Sequence, residues 1–140
     1  MLGVSVAVYA PPRRQAQYAI LINVQPQRGL ALSYQLEHVY NKSTRKLTYT
    51  WKEPELIAAR KRPAYKGELS VGFLPDFDQA IEFAEDRLLG LEFDARDDWS
   101  GLTWVAEGLE TLERAGYAVV SHRSEKLERL MGDVRERNEK

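Results

Sequence analysis

Asp97-Asp98-Trp99-Ser100-Gly101-Leu102-Thr103-Trp104-Val105 reads as the opening of a helix that runs to about Gly116. Asp97 or Asp98 can accept hydrogen bonds from the unpaired N–H groups of the first turn. Leu102, Val105, Ala106, Leu109 and Leu112 then recur at helical spacing and form one apolar stripe. Gly116 suits the left-handed stop after the last turn. Trp99 and Trp104, both in the first turns, mark a helix end that faces something, core or pocket.

Upstream of this helix the pattern is that of strands. Val4, Val6 and Val8 alternate with smaller residues, predicting a first strand over 3–9, and Pro11-Pro12 interrupts it. Residues 17–24 carry Ile20, Leu21, Ile22 and Val24 and read as a second strand covered on both faces. After a turn over 25–29, a third strand places Leu30, Leu32, Tyr34, Leu36 and His38 on one face. Asn41-Lys42-Ser43-Thr44 is a further turn, and Leu47, Tyr49 and Trp51 alternate in a fourth strand. The signal fades over 53–67, read as an irregular excursion, with a short helix over 56–62 ended by Pro63 as the alternative. Leu69, Val71 and Phe73 form a short fifth strand.

Helices follow. Asp76 caps the first of them, with Gln79 at the capping-box position and Phe77, Ala80, Ile81, Ala84 and Leu88 as its buried stripe. Gly90 stops it, and the central helix comes next. Residues 117–120 read as an edge strand or packed turn. Ser121 or Ser124 caps a last helix that buries Leu127, Leu130, Met131 and Val134. Four to five strands and then a run of helices predict an α+β domain with an antiparallel sheet, one unit over 1–140.

Composition narrows the classes of function. The 140 residues are 44% hydrophobic and 29% charged, ordinary for a soluble globular chain. A formal net charge of -1 gives no pull toward nucleic acid or anionic lipid. The absence of cysteine excludes disulfides and thiolate chemistry and fits a reducing compartment. The apolar start, Met1-Leu2-Gly3-Val4, is too short to span a membrane and lacks the basic leader of a secretory signal, so a cytoplasmic protein is expected. No His/Asp/Glu spacing suggests a metal site, and no glycine-rich phosphate loop is present. The basic run Arg60-Lys61-Arg62 reads as a solvated loop.

The order of parts, with a helix beginning Trp-x-x-x-x-Trp-Val at Trp99, Trp104 and Val105, resembles small, mostly fungal proteins of permuted papain-like fold. Their relatives are the NlpC-like hydrolases and the lecithin:retinol acyltransferase type. The resemblance implies a cysteine nucleophile at the helix N-terminus, where thiol pKa is lowered, and a histidine on the second strand as its base. Here those positions fall on Gly101 and Gln17, so the chain would be a degenerate member without covalent cysteine chemistry. Ser100 adjoins the nucleophile position but lacks a base.

The aromatic residues then carry the functional expectation. Gln17, Tyr18, Tyr34, Trp51, Trp99, Ser100, Thr103 and Trp104 would line a groove for an apolar small molecule. His38, whose imidazole titrates near neutrality, and Asp98 are the candidate acid and base groups. The favoured function is cofactor-free cyclisation or isomerisation of an apolar metabolite, as in fungal secondary metabolism, which needs shape and a hydrogen bond rather than a nucleophile. The alternatives are a pseudoenzyme that binds a ligand or protein, and an interaction subunit whose groove is filled by side chains. No nucleic-acid or membrane partner is expected, and pairing of the last helices in a homodimer stays open.

Overall fold

The computed structural model describes residues 1–13, 16–75, 78–91 and 101–138. Strands β1 (Leu2–Tyr9), β2 (Gln17–Gln25) and β3 (Leu30–Tyr34) open the chain, and β4 (Leu36–Asn41) pairs with β5 (Lys46–Trp51). Then come β6 (Glu55–Ile57), β7 (Tyr65–Leu74), helices α1 (Asp78–Leu89) and α2 (Gly101–Arg114), the edge strand β8 (Ala118–Val119) and helix α3 (Ser124–Asn138). Six strands form one antiparallel sheet in the order β6-β3-β2-β1-β7-β8, and β4-β5 is a separate two-stranded hairpin. The architecture is α+β.

The alternation of β1 explains why it sits at the centre. Val4, Val6 and Val8 point to the helical side and are almost wholly buried with Ile20, Ile22 and Tyr34. Ala7 and Tyr9 point the other way, into a smaller cluster with Ala19, Leu21, Ala31 and Ala59. A strand buried on both faces is apolar at odd and even positions alike, except where a buried polar group such as Ser5 finds a partner. Its register, Val4 opposite Ile22 and Val6 opposite Ile20, stacks β-branched side chains on the helical face.

The helices cover that inner face alone among the buried residues. Ala80, Ala84 and Leu88 of α1, Leu102, Val105, Leu109 and Leu112 of α2, and Leu127, Met131 and Val134 of α3 share its core. At Gly108 an added Cβ would lie 3.0 Å from Ile20 Cδ1 and 3.1 Å from Leu88 Cδ2, so α2 rests closely on both β2 and α1. Gly116 ends α2 at φ 96, where the Gly116 and Tyr117 N–H groups donate to the carbonyls of Glu113 and Leu112. This double closure satisfies the last carbonyls of the helix.

Three segments depart from the sequence expectation. The third strand, expected to continue to His38, breaks at Gln35, and β4 leaves the sheet to pair with β5 (His38 opposite Tyr49, Leu36 opposite Trp51). The vacated edge of β3 is taken by β6, with Ala31 opposite Ile57. Residues 53–67, expected to be irregular or helical, thus hold a strand and a 3-10 turn, Ala59–Lys61. A three-residue strand is too short to show periodicity. Finally, β7 is ten residues long, and its pairing with β1 shifts register between Val4 and Ser5. Such a bulge changes the phase of the side chains, so Val71 and Leu74 are buried while Phe73 is 45% exposed. The expected Asp76 cap, Phe77 and the opening of the central helix at 97–100 lie outside the described residues, and Leu130, expected to be buried on α3, is only half-buried and outside the core.

Candidate functional site

The outer face of the sheet, turned away from the helices, is partly roofed by residues 52–64. The chain there leaves β5, pairs as β6, makes the Ala59–Lys61 turn and returns through Pro63 to β7. Ala59 is buried against the sheet, and Ile57, Ala64 and Tyr65 pack beside it. The Ala10 N–H donates to the Ala64 carbonyl at 2.8 Å and ties the returning chain to the end of β1.

Between this roof and the ends of β1, β2 and β3 lies a cleft of about 350 Å³. Its sheet side is formed by Tyr9, Gln17, Ser33 and Gln35. Its roof contributes Lys52, Glu53, Glu55 and Arg62, with Ile57, Pro63 and Ala64 as an apolar wall. Gln17 and Ser33 reach it because strand alternation sends them to the outer face, opposite to Tyr18 and Tyr34.

Tyr9 is the distinctive group. It is only 8% exposed, and its hydroxyl is buried with no hydrogen-bond partner among the described residues. Burial pushes its pKa up to about 12, the Arg62 charge opposes this, and the Glu68 carboxylate adds to it. At neutral pH the hydroxyl is therefore a protonated donor without an acceptor. A buried polar group left so costs stability, and in a native structure it calls for an explanation.

A polar network holds the Tyr9 ring in place. The ring meets Tyr65 edge-on, with centroids 6.1 Å apart. The Tyr65 hydroxyl donates to Glu68 Oε1 at 3.0 Å, Arg60 Nε donates to the same oxygen at 3.2 Å, and the Ser5 hydroxyl donates to Oε2 at 2.5 Å. Asn23 Nδ2 extends the chain of contacts to the Gly3 carbonyl at 3.1 Å. Burial alone would raise the pKa of Glu68, but its three donors outweigh burial and hold the carboxyl below the usual value. Burial, and then the Glu68 charge, push Tyr65 up to about 12. Arg62 makes a looser pair with Glu55, at 3.7 Å and about half exposed on both sides. The basic run is solvated, as expected, yet two of its members are anchored to carboxylates.

Among the described residues, those expected to line an aromatic groove lie on two different faces of the sheet. Gln17 lies in the cleft, but Tyr34 and Trp104 are wholly buried in the core between sheet and helices. Tyr34 donates to Glu85 Oε1 at 3.3 Å, and burial, then that carboxylate, push its pKa up. Tyr18 packs half-buried on the helical side, where burial and then the Glu128 charge raise its pKa. Thr103 is half-buried on α2. Tyr34 pairs with Ile20 of β2 and shares its helical side, whereas Gln17 alternates to the outer side, so Gln17 and Tyr34 do not share a pocket. Gln17 thus lies on the outer face, while α2 packs on the inner one. Trp99, Ser100 and Asp98 lie outside the described residues, and the side chains of His38 and Trp51 do so as well.

Sequence reasoning missed Tyr9, Ser33, Gln35, Lys52, Glu55 and Arg62. One signal was present: Tyr9 is a bulky polar residue ending a strand of small and β-branched ones, directly before Ala10-Pro11-Pro12. Among the described residues no cluster of His, Asp and Glu could hold a metal ion, and no helix is long and apolar enough to cross a membrane. Comparisons with protein-family models, with curated proteins and with solved structures find no match.

Proposed function

We propose that the protein binds a small organic molecule in the cleft between the outer face of the sheet and residues 52–64. The single observation that carries this reading is the unpartnered hydroxyl of Tyr9, a residue of the cleft wall whose oxygen is buried just behind the surface. An acceptor on the ligand would satisfy that donor, while Gln17, Ser33 and Gln35 supply further polar contacts and Ile57, Pro63 and Ala64 an apolar surface. The volume and mixed lining suit a small compound more polar than the apolar metabolite expected from the sequence. A thermal-shift screen of small acceptor-bearing compounds tests the reading. Hits should stabilise the wild type and fail on Tyr9→Phe; hits that stabilise both equally would remove Tyr9 from the site.

The same hydroxyl favours a second reading, in which cofactor-free isomerisation occurs in this cleft. A protonated phenol can polarise a substrate carbonyl, and Glu53 and Glu55 offer carboxylates on the roof to take a proton. Solvent deuterium entering the position next to the carbonyl of a bound ketone would distinguish turnover from binding alone. Kinship with the permuted papain-like proteins stays a separate proposal, supported by Trp104-Val105 and by strands preceding helices. The outward placement of Gln17 counts against a shared active site.

A further inference from the structure

This inference rests on the cleft being a binding site and concerns what it binds. Tyr9 and Arg62 line the same cleft, and the Arg62 charge acts on the buried Tyr9 hydroxyl, so a neutral donor just behind the wall and a cation stand close together. Arg62 is held by Glu55 at 3.7 Å in a half-exposed pair, the kind of ion pair that contributes little and is readily exchanged. Lys52 lines the cleft as well, and its ammonium has no side-chain partner among the described residues. Against these stand Glu53 and Glu55, so the lining carries two cations and two carboxylates. That balance disfavours a polyanion such as a phosphate ester and suits a single negative charge. The apolar wall of Ile57, Pro63 and Ala64 asks for a short hydrocarbon body beside it.

We infer that the cleft takes a small monocarboxylic acid with a short apolar body, its carboxylate received by the Tyr9 hydroxyl and the Arg62 guanidinium. Planar carboxylates are the natural partners of a guanidinium fork, and a charged acceptor makes the stronger hydrogen bond to a buried phenol. Two sources share this chemistry: a plain carboxylic acid, and an α-amino acid whose ammonium would meet Glu53 or Glu55.

The test is an amide-resonance NMR titration of the labelled full chain with 4-methylpentanoate, 4-methylpentanamide and leucine. The carboxylate should shift the Tyr9, Gln17, Ser33 and Arg62 amides saturably, with the neutral amide at least tenfold weaker. Arg62→Gln should weaken 4-methylpentanoate about tenfold and leave 4-methylpentanamide unchanged. Leucine binding more tightly than 4-methylpentanoate assigns the amino acid; weaker binding assigns the plain acid. Equal affinity for acid and amide, or no effect of Arg62→Gln, would overturn the carboxylate assignment while leaving the cleft a binding site. If none of the three probes moves the cleft amides, the carboxylate assignment is overturned, and the acceptor-bearing screen against wild type and Tyr9→Phe decides the binding reading separately.

Discussion

Removing the Tyr9 hydroxyl should make the free protein more stable and its ligand binding worse. In Tyr9→Phe the ring keeps its edge contact with Tyr65 and its place in the outer-face cluster. Only the buried oxygen, which has no described partner, is lost. Leaving a buried polar group unsatisfied costs about 1–3 kcal/mol, and the small void left by the oxygen returns part of that. The expected net gain is therefore about 1 kcal/mol. Urea unfolding at pH 7, followed by the fluorescence of the buried Trp104, reads this as a midpoint raised by roughly 0.5 M if m is about 2 kcal/mol/M. The difference should change at high pH. Tyr9 has a folded pKa of about 12, above its ordinary 10.0, so its protonated form is favoured by folding. Stability held by that proton is fully present below pH 10 and is lost as pH rises toward 12. The wild type should thus fall further behind Tyr9→Phe across that window. A loss of about 1 kcal/mol in Tyr9→Phe at pH 7 would show that the hydroxyl has a partner in the free protein, and the case for an awaiting donor would collapse.

Other perturbations read other parts of the structure. Glu68→Gln removes the charge that Ser5, Tyr65 and Arg60 all address and should cost about 2 kcal/mol at pH 7. The folded pKa of Glu68 is depressed, so its contribution is present above the ordinary 4.5 and is lost as pH falls below it. Urea midpoints from pH 7 down to 3 should converge for wild type and variant, and a constant gap would refute the role of the charge. Gly72→Ala places a Cβ 2.1 Å from the Ala118 carbonyl oxygen at φ +149 and should cost about 3 kcal/mol, with loss of amide protection in β8. Unchanged hydrogen exchange at Val119 and Val120 would contradict that pairing. Trp104→Phe should lower stability by about 1–3 kcal/mol yet leave ligand affinity in the cleft within twofold, because Trp104 belongs to the opposite face of the sheet. A large loss of affinity in a folded Trp104→Phe would restore the aromatic groove.

The α+β class was legible because long, strongly patterned segments carry their own signal. Val4, Val6 and Val8, the Ile20-Leu21-Ile22 run and most of the described stripe residues of α1, α2 and α3 occupy the core faces their spacing predicts, while Leu130 stays half-buried outside that core. What escaped depended on distant partners. Nothing local marks Gln35 as the point where the chain leaves the sheet, since its alternation runs unbroken from Leu30 to His38. The partner of Glu55–Ile57 is β3, more than twenty residues earlier, and the bulge in β7 is imposed by the β1 register. The candidate site escaped for a related reason. Aromatic side chains signal burial without saying on which side of a sheet, so Tyr34 and Trp104 looked like pocket residues and are core. Tyr9, which does line the cleft, stands out in sequence only as a bulky polar residue ending a strand, and its missing hydrogen bond is not something a sequence displays.

The most direct test of the account is a crystal structure of the full chain with a bound hit from the acceptor-bearing screen. The account predicts the compound in the cleft, with an acceptor atom within hydrogen-bond distance of Tyr9 Oη and its apolar part against Ile57 and Pro63. A compound seated against the helices, or a cleft closed by its own side chains with Tyr9 Oη bonded to one of them, would contradict it.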